Sequence, residues 1–239
     1  MSISLEPNRY VGREEDLIAL AQCYERLDRL VTIVGPPGTG KSRLARHYAH
    51  IRAKRTDAQT YFFDLTDAAS ADDVSNVVAR VLGLSAHGAT TDLNVGQLGH
   101  ALDARGPALF VFDNFEHVVS SAAVILVRWL ETAAQGHFLV TSRELLRVSG
   151  ETAYELLPLR DDHAIDLFLD RVRTVRSDYV PTDEEQPDLL AIVRALDCIP
   201  LALELAATRM SILSPAQLRS RLHERFKVLS KGPRNAGKR

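Results

Sequence analysis

The sequence predicts an α/β fold in which a parallel sheet carries helices on both faces and is followed by a small all-helical domain. Five short strand-like runs recur with helical patterns between most of them, an alternation typical of parallel sheets. One run, ALFVFDN, is apolar without alternation, which indicates a strand buried on both faces. After Pro158 only helical patterns follow. The predicted strands are 31–34, 61–65, 109–112, 137–141 and 152–156.

Helical patterns fill most of the intervals between the strands and the whole region after Pro158. Ser214 before Pro215 is typical of a helix start, and Trp129 belongs to an apolar stripe that predicts a core position. The predicted helices are 13–29, 41–54, 71–82, 93–105, 118–134, 161–173, 184–196, 201–212 and 215–222. We therefore expect a nucleotide-binding domain over 1–158, a helical domain over 159–229 and a basic tail over 230–239. That tail is a flexible end, an interrupted linker or a phosphate-binding arm.

The segment VTIVGPPGTGKS reads as a buried strand, a glycine-rich phosphate loop and the start of a helix. This is the signature of a P-loop NTPase, because backbone amides and a helix N-terminus together bind phosphate. We expect Gly35, Gly38 and Gly40 to adopt positive φ. Lys41 is expected to reach the β- and γ-phosphates, and the Ser42 hydroxyl to bind Mg²⁺. The candidate nucleotide-binding residues here are Pro37, Gly38, Thr39, Gly40, Lys41, Ser42 and Arg43.

The composition narrows the class of protein. A chain of 239 residues, 46% of them hydrophobic, can bury a substantial core. A net charge of -2 gives no overall basic field, so direct nucleic-acid binding by this segment is not favoured. No apolar run approaches the ~18 residues of a membrane span, and the N-terminus has no apolar signal core. Cys23 and Cys198 fit no ligand or redox spacing and are expected to be buried thiols. The expected location is the cytoplasm.

Asp113 follows the third predicted strand and is the candidate second ligand of the magnesium ion. Ligands of open α/β sheets bind at the carboxyl ends of the strands, where this carboxylate lies. Many hydrolytic relatives carry a second acid close by to orient the attacking water, but position 114 is Asn. Either Glu116 substitutes for that acid or water is poorly activated. We therefore expect slow hydrolysis of ATP to ADP and phosphate.

The fourth strand ends in FLVTSRE, which brings Thr141, Ser142 and Arg143 to the same edge. Arg143 is a candidate γ-phosphate sensor, because a guanidinium makes bidentate contacts with phosphate. The alternative is a surface salt bridge. Lys41, Asp113 and Arg143 are the candidate catalytic residues, with Ser42 and Asp113 at the metal.

Several segments in order resemble the signal-transducing ATPases with numerous domains, the STAND class. The closest likeness is to the NB-ARC-like ATPase modules of bacterial regulators of the LuxR and AfsR types. The likeness runs from about Asn8 to about Leu229. It is carried by NRYVGREEDL, GPPGTGKS, LFVFDNFEHV, LVTSRE, YELLPL and CIPLALELAATR.

The resemblance implies roles for matching positions. Val11, Gly12 and Arg13 correspond to the segment around the adenine and ribose, and Pro200 to the proline that packs against adenine. Where the family usually has Gly two residues before that proline, this chain has Cys198, which puts the local turn in question. Family members continue into a winged helix, sensor repeats and an output domain, so the chain resembles an excised ATPase core. Nucleotide-dependent self-association is a further possibility.

Three functions are compatible with these sequence features. The first is a regulatory switch whose ATP and ADP states differ because only ATP offers a γ-phosphate to Lys41 and Arg143. The second is a steadily cycling AAA-type motor or loader, which would need an efficient water-orienting acid. The third is a small-molecule kinase, which would need an acceptor pocket that the helical segment does not suggest.

Overall fold

The computed structural model describes residues 8–56, 58–84 and 95–230, with backbone alone for 225–230. The described chain groups into two compact units. The first contains residues 13–157, and the second contains residues 8–12 together with 158–230. Within the described residues, the chain passes from one unit to the other at Gly12/Arg13 and at Leu157/Pro158. The predicted domain boundaries remain a prediction.

The first unit is a five-stranded parallel sheet in the order β2-β3-β4-β1-β5. This confirms the predicted α/β fold of the P-loop ATPases. β3 is buried at every residue, as its unbroken apolar pattern predicts, whereas the edge strand β5 is polar and half-buried. The strands are β1 (Leu30–Val34), β2 (Thr60–Asp64), β3 (Leu109–Asp113), β4 (His137–Ser142) and β5 (Glu151–Glu155).

Five helices accompany the sheet, and the core between them is rich in aromatic rings. Trp129 is buried and stacks on Phe112 of β3 with 6.1 Å between ring centroids, which confirms it as a core residue. Its indole N–H donates to the carbonyl of Val95. The helices are α1 (Glu14–Glu25), α2 (Lys41–Arg55), α3 (Ala71–Val81), α4 (Val95–Asp103) and α5 (Val119–Thr132). The first two residues of the predicted helix 93–105 lie outside the described residues.

The second unit is helical and has its own apolar core. Its helices are α6 (Asp161–Val175), α7 (Gln186–Ala195), α8 (Pro200–Ala207) and α9 (Pro215–Ser230). Ser214 caps α9 as predicted, since its hydroxyl accepts from the Gln217 amide while its own amide donates to Gln217 Oε1.

Helix ends account for most differences from the sequence prediction. The helix predicted over 13–29 ends at Glu25, after which Leu27 has a left-handed φ of 69°. The helix predicted over 201–212 ends at Ala207 and tightens into a 3₁₀ turn at Thr208–Ser211. The helix predicted to end at 222 continues to Ser230. Of the predicted tail, residues 231–239 lie outside the described residues.

Both cysteines are free and buried. Cys198 lies in a left-handed turn at φ 52°, directly after Asp197 at the same φ. Glycine adopts this backbone conformation without steric cost, which accounts for the glycine that the family usually has at this position. Within the described parts of the chain, no helix is both long and apolar enough for a bilayer span.

Candidate nucleotide site

The phosphate loop runs from the end of β1 to the first turn of α2. Gly38 and Gly40 have positive φ values of 80° and 94°, as predicted. Gly35 does not, so that part of the prediction was wrong. Its need for glycine is steric instead: a Cβ there would lie 2.7 Å from the carbonyl oxygen of Leu156. The loop therefore packs against the chain just after β5.

The N-terminus of α2 is well suited to an anion. Gly40 caps it and offers no side chain, and the first turn carries no acidic residue. The first-turn amides of a helix lack intrahelical acceptors, and the helix dipole adds positive potential there. In α1, α3 and α6 the first turn is acidic, so the same charge is compensated within the helix. The loop end of α2 keeps its positive potential for a ligand.

Lys41 is buried and its ammonium donates to the carbonyls of Gly35 and Pro36, at 2.8 and 3.0 Å. Burial lowers the pKa of Lys41, while the negative charges of Glu116 and Asp113 act in the opposite direction. The lysine is thus held against the loop by bonds to main-chain oxygens. A cation held in this way is available to phosphate oxygens at the loop.

Two further residues organise the loop from within the first unit. Thr39 is fully buried and its hydroxyl donates to the carbonyl of Pro36 at 2.8 Å. Arg13 donates from Nη2 to the carbonyl of Thr39 at 3.1 Å and from Nη1 to the carbonyl of Leu157 at 2.7 Å. Arg13 therefore ties the loop to the chain that leaves β5, a contact that the sequence did not suggest.

Asp113 ends β3 and is 1% exposed. Its Oδ1 accepts from the Thr141 hydroxyl at 2.5 Å, and its Oδ2 has no hydrogen-bond donor among the described residues. Burial raises the pKa of Asp113, against the opposing effects of Thr141, Ser42 and Arg46. An orphaned buried carboxylate oxygen is costly unless a ligand uses it. A hydrated magnesium ion suits this oxygen.

Arg46 and Asp64 belong to the same neighbourhood and were missed by the sequence analysis. Asp64 ends β2 directly opposite Asp113, and Arg46 Nη2 lies 3.9 Å from Asp64 and 3.7 Å from Asp113. Arg46 follows Ser42 by four residues, so the two share one face of α2. That spacing was visible in the sequence, whereas the pairing of β2 with β3 was not.

Arg143 and Glu116 form an ion pair, with 3.0 Å between Nε and Oε1. The arginine side chain is 57% exposed and the glutamate 12%. Glu116 lies in the 3₁₀ turn Phe115–His117 after β3, and its Oε2 is buried with no hydrogen-bond donor in the described part of the chain. The sequence left open whether Arg143 senses phosphate or forms a salt bridge; the salt bridge is present.

The remaining predicted site residues divide between the units. Pro37 is exposed, and Ser42 and Arg43 are half-buried in the first turn of α2. Val11, Gly12 and Pro200 belong to the second unit, where Val11 packs on the helical core and Pro200 begins α8. Gly12 has φ 67°, and a Cβ there would lie 2.9 Å from His163 Nδ1. The candidate phosphate and metal residues are thus gathered at one edge of the sheet.

The donor set fits magnesium and a polyphosphate. No three His, Cys, Asp or Glu side chains cluster as a metal cage within the described residues. Mg²⁺ is commonly held by one or two protein oxygens together with phosphate oxygens and water. Ser42 and Asp113 would supply the protein oxygens.

Known proteins resemble this chain in sequence and in fold. The family of AAA domains matches residues 25–148, more than half of the chain. An uncharacterized protein of Mycobacterium tuberculosis is 34% identical over 228 residues, which cover 95% of this chain and 57% of that protein. A second M. tuberculosis protein, whose name proposes an HTH-type transcriptional regulator, is 32% identical over 89% of this chain and 24% of its own length. The chain thus spans 57% of the length of the first of these relatives and 24% of the second.

Solved structures share the fold at low identity. Cdc6p from Pyrobaculum aerophilum is 18% identical with a TM-score of 0.63, over 92% of this chain and 65% of that one. A STAND protein with a tetratricopeptide repeat sensor from Pyrococcus horikoshii is 17% identical with a TM-score of 0.53, over 94% of this chain and 34% of that one.

Proposed function

This chain belongs to the AAA domain family, and from that premise we propose that it is an ATP- and ADP-binding regulatory switch with slow ATPase activity. The chain would act as the NB-ARC-like module of a STAND-class protein that transduces a signal or regulates transcription. Its partners would be further domains of a longer protein, such as a winged helix, sensor repeats and an output domain. The likeness to a STAND protein and to a proposed HTH-type regulator supports this assignment.

One observation carries the proposal of slow hydrolysis. Asn114 stands where hydrolytic relatives often have the water-orienting acid, and its side-chain amide donates to the Thr66 hydroxyl at 2.8 Å. Its backbone amide donates to Thr141 at 3.0 Å. Asn114 is therefore committed to the loop that follows β2 and offers no carboxylate to a water molecule. Slow turnover leaves the bound nucleotide time to act as a signal.

The switch itself needs a ligand difference that the protein can detect. ATP and ADP differ by the γ-phosphate, and a ligand shifts a conformational equilibrium only through differential affinity. Arg143 is half-exposed and bound to one carboxylate, so a γ-phosphate would compete with Glu116 for the guanidinium. The role of Val11, Gly12, Arg13 and Pro200 around the adenine is part of the same proposal.

The test is the identity and lifetime of nucleotide carried through purification. We expect retained ADP and turnover far below ~1 s⁻¹, the low end of ordinary enzyme rates. An empty site with rapid multiple turnover would favour a cycling motor and overturn the switch. Calorimetry on Lys41→Ala supplies the control, since this variant should lose tight binding of both nucleotides.

A second measurement addresses sensing. Arg143→Ala should narrow the preference between ATP and ADP, because it removes a cation available only to the longer polyphosphate. Arg128→Ala removes an exposed cation elsewhere in the unit and is the control. If it narrows the preference between ATP and ADP as much as Arg143→Ala does, the effect is one of general charge and not of sensing.

A further inference from the structure

We propose that the slow hydrolysis depends on Glu116, which orients and deprotonates the attacking water from three residues beyond Asp113, a different reach from that of the acid missing at Asn114. The inference rests on the proposed ATPase function and names the residue that performs its hydrolytic step. It starts from a carboxylate oxygen that is buried and lacks a donor.

The backbone after β3 keeps Glu116 close to the end of that strand. Asn114 has a left-handed conformation, φ 64° and ψ 40°, and the 3₁₀ turn Phe115–His117 follows at once. Asparagine tolerates this conformation better than most residues. Phe115 is fully buried and anchors the turn in the core. Glu116 is thereby fixed near the end of β3 although it is three residues beyond Asp113.

The two oxygens of Glu116 have different surroundings. Oε1 is bound by Arg143 at 3.0 Å, and Oε2 is buried with no hydrogen-bond donor among the described residues. A buried acceptor without a donor costs about 1–3 kcal/mol, and more when it is charged. Such an oxygen is expected where a ligand or a water molecule supplies the missing hydrogen bond. The ion pair holds one oxygen and leaves the other for water.

Glu116 also acts electrostatically on the lysine of the phosphate loop. Burial is the main cause that lowers the pKa of Lys41. Among the charged groups, Glu116 has the largest effect and raises this pKa; the effects of Arg143 and Asp113 are smaller. The two charged groups are therefore electrostatically coupled. A water-orienting base has to lie close to the lysine that binds the γ-phosphate.

The other acid at this edge is less suitable. Asp64 lies opposite Asp113 but its side chain is 54% exposed. Its Oδ1 already accepts from the amide and hydroxyl of Thr66, at 3.0 and 2.6 Å. Those bonds help to lower the pKa of Asp64 against the effect of its partial burial, so it is a weak proton acceptor. Glu116 has a buried oxygen without a donor, whereas the Asp64 side chain is largely exposed to solvent.

The chemical step balances with water as the only co-reactant. Glu116 Oε2 takes a proton from water as the water oxygen bonds to the γ-phosphorus. The bond from that phosphorus to the bridging oxygen breaks, and ADP leaves with the electron pair. The proton on Glu116 then passes to solvent. The products are ADP and inorganic phosphate.

The experiment compares Glu116→Gln with Asp64→Asn and with Glu131→Gln, a control on the exposed face of α5. Each protein in excess is mixed with radiolabelled ATP and magnesium, and both the hydrolysis rate and the bound nucleotide are determined. Glu116→Gln should slow hydrolysis by about 10²-fold or more, the usual contribution of a general base. It should keep ATP bound with a calorimetric affinity no weaker than that of the wild type, because the γ-phosphate no longer competes with a carboxylate for Arg143, whereas the wild type and Glu131→Gln accumulate ADP.

Several outcomes would overturn the inference. Hydrolysis by Glu116→Gln at the rate of Glu131→Gln would do so, as would trapping of ATP by Asp64→Asn instead. A wild type that binds ATP and never cleaves it would also contradict a base at Glu116, whereas failure of the wild type to bind ATP or ADP refutes the proposed function itself. If circular dichroism shows Glu116→Gln misfolded, Glu116→Asp retains the charge and should still slow hydrolysis, because its carboxylate is one methylene shorter.

Discussion

Replacing Thr141 by Val should destabilise the sheet unit markedly, because the Thr141 hydroxyl joins two buried groups. It donates to Asp113 Oδ1 at 2.5 Å and accepts from the Asn114 amide at 3.0 Å. A hydrogen bond to a charged group contributes about 1.5–3 kcal/mol and a neutral one about 0.5–1.5 kcal/mol. Valine preserves the shape of threonine, so little cavity is created. The expected loss in unfolding free energy is about 2–4 kcal/mol.

The assay for Thr141→Val is urea unfolding at neutral pH, followed by tryptophan fluorescence. Trp129 is the single tryptophan of the chain and is buried in the core of the sheet unit, so its signal reports that unit. Thr141→Ser is the matched control: it keeps the hydroxyl and loses one methyl group, which costs about 0.5–1.5 kcal/mol. If Val destabilises no more than Ser, the hydroxyl does not support Asp113 as argued.

Three other predictions test separate parts of the structure. Gly35→Ala should lower both the melting temperature and nucleotide affinity, because the new Cβ meets the Leu156 carbonyl at 2.7 Å; an unchanged melting temperature would refute that steric reason. Cys198→Gly should be about 1 kcal/mol more stable than Cys198→Ala in urea, since only glycine accepts φ 52° without strain; equal stabilities would deny the strain. Burial raises the folded-state pKa of Asp113, so the folded protein holds a proton that the unfolded chain releases and stability falls as pH rises above the ordinary aspartate range. Asp113→Asn should lack this decline in urea titrations across pH, and parallel pH profiles for variant and wild type would contradict it.

The sequence predicted the strands of the sheet well, because most of them are apolar runs, whereas β5 is polar and half-buried. β3 was recognisable from ALFVFD alone, since a strand buried on both faces has no polar alternation. Helix ends were less predictable. The 3₁₀ tightening at Thr208 and the extension of α9 to Ser230 were not visible in the periodic pattern, because such a pattern locates the body of a helix better than its ends.

The phosphate loop and the candidate metal ligand Asp113 were also predictable from the sequence, but their supporting contacts were not. Lys41, Asp113 and Arg143 could be named because motif spacing and strand ends point to one edge of the sheet. The contact of Gly35 with Leu156 and the bond from Arg13 to Thr39 join positions far apart in sequence. Only the fold brings those pairs together.

Strand order explains why Thr141 and Arg143, rather than residues nearer the loop in sequence, complete this site. β4 lies between β1, which carries the phosphate loop, and β3, which carries Asp113. Residues that follow β4 therefore lie between the phosphate loop and Asp113. Thr141 there binds Asp113, and Arg143, two residues later, binds Glu116. On the proposed function, this short segment would couple the presence of a γ-phosphate both to the candidate metal ligand and to the proposed base.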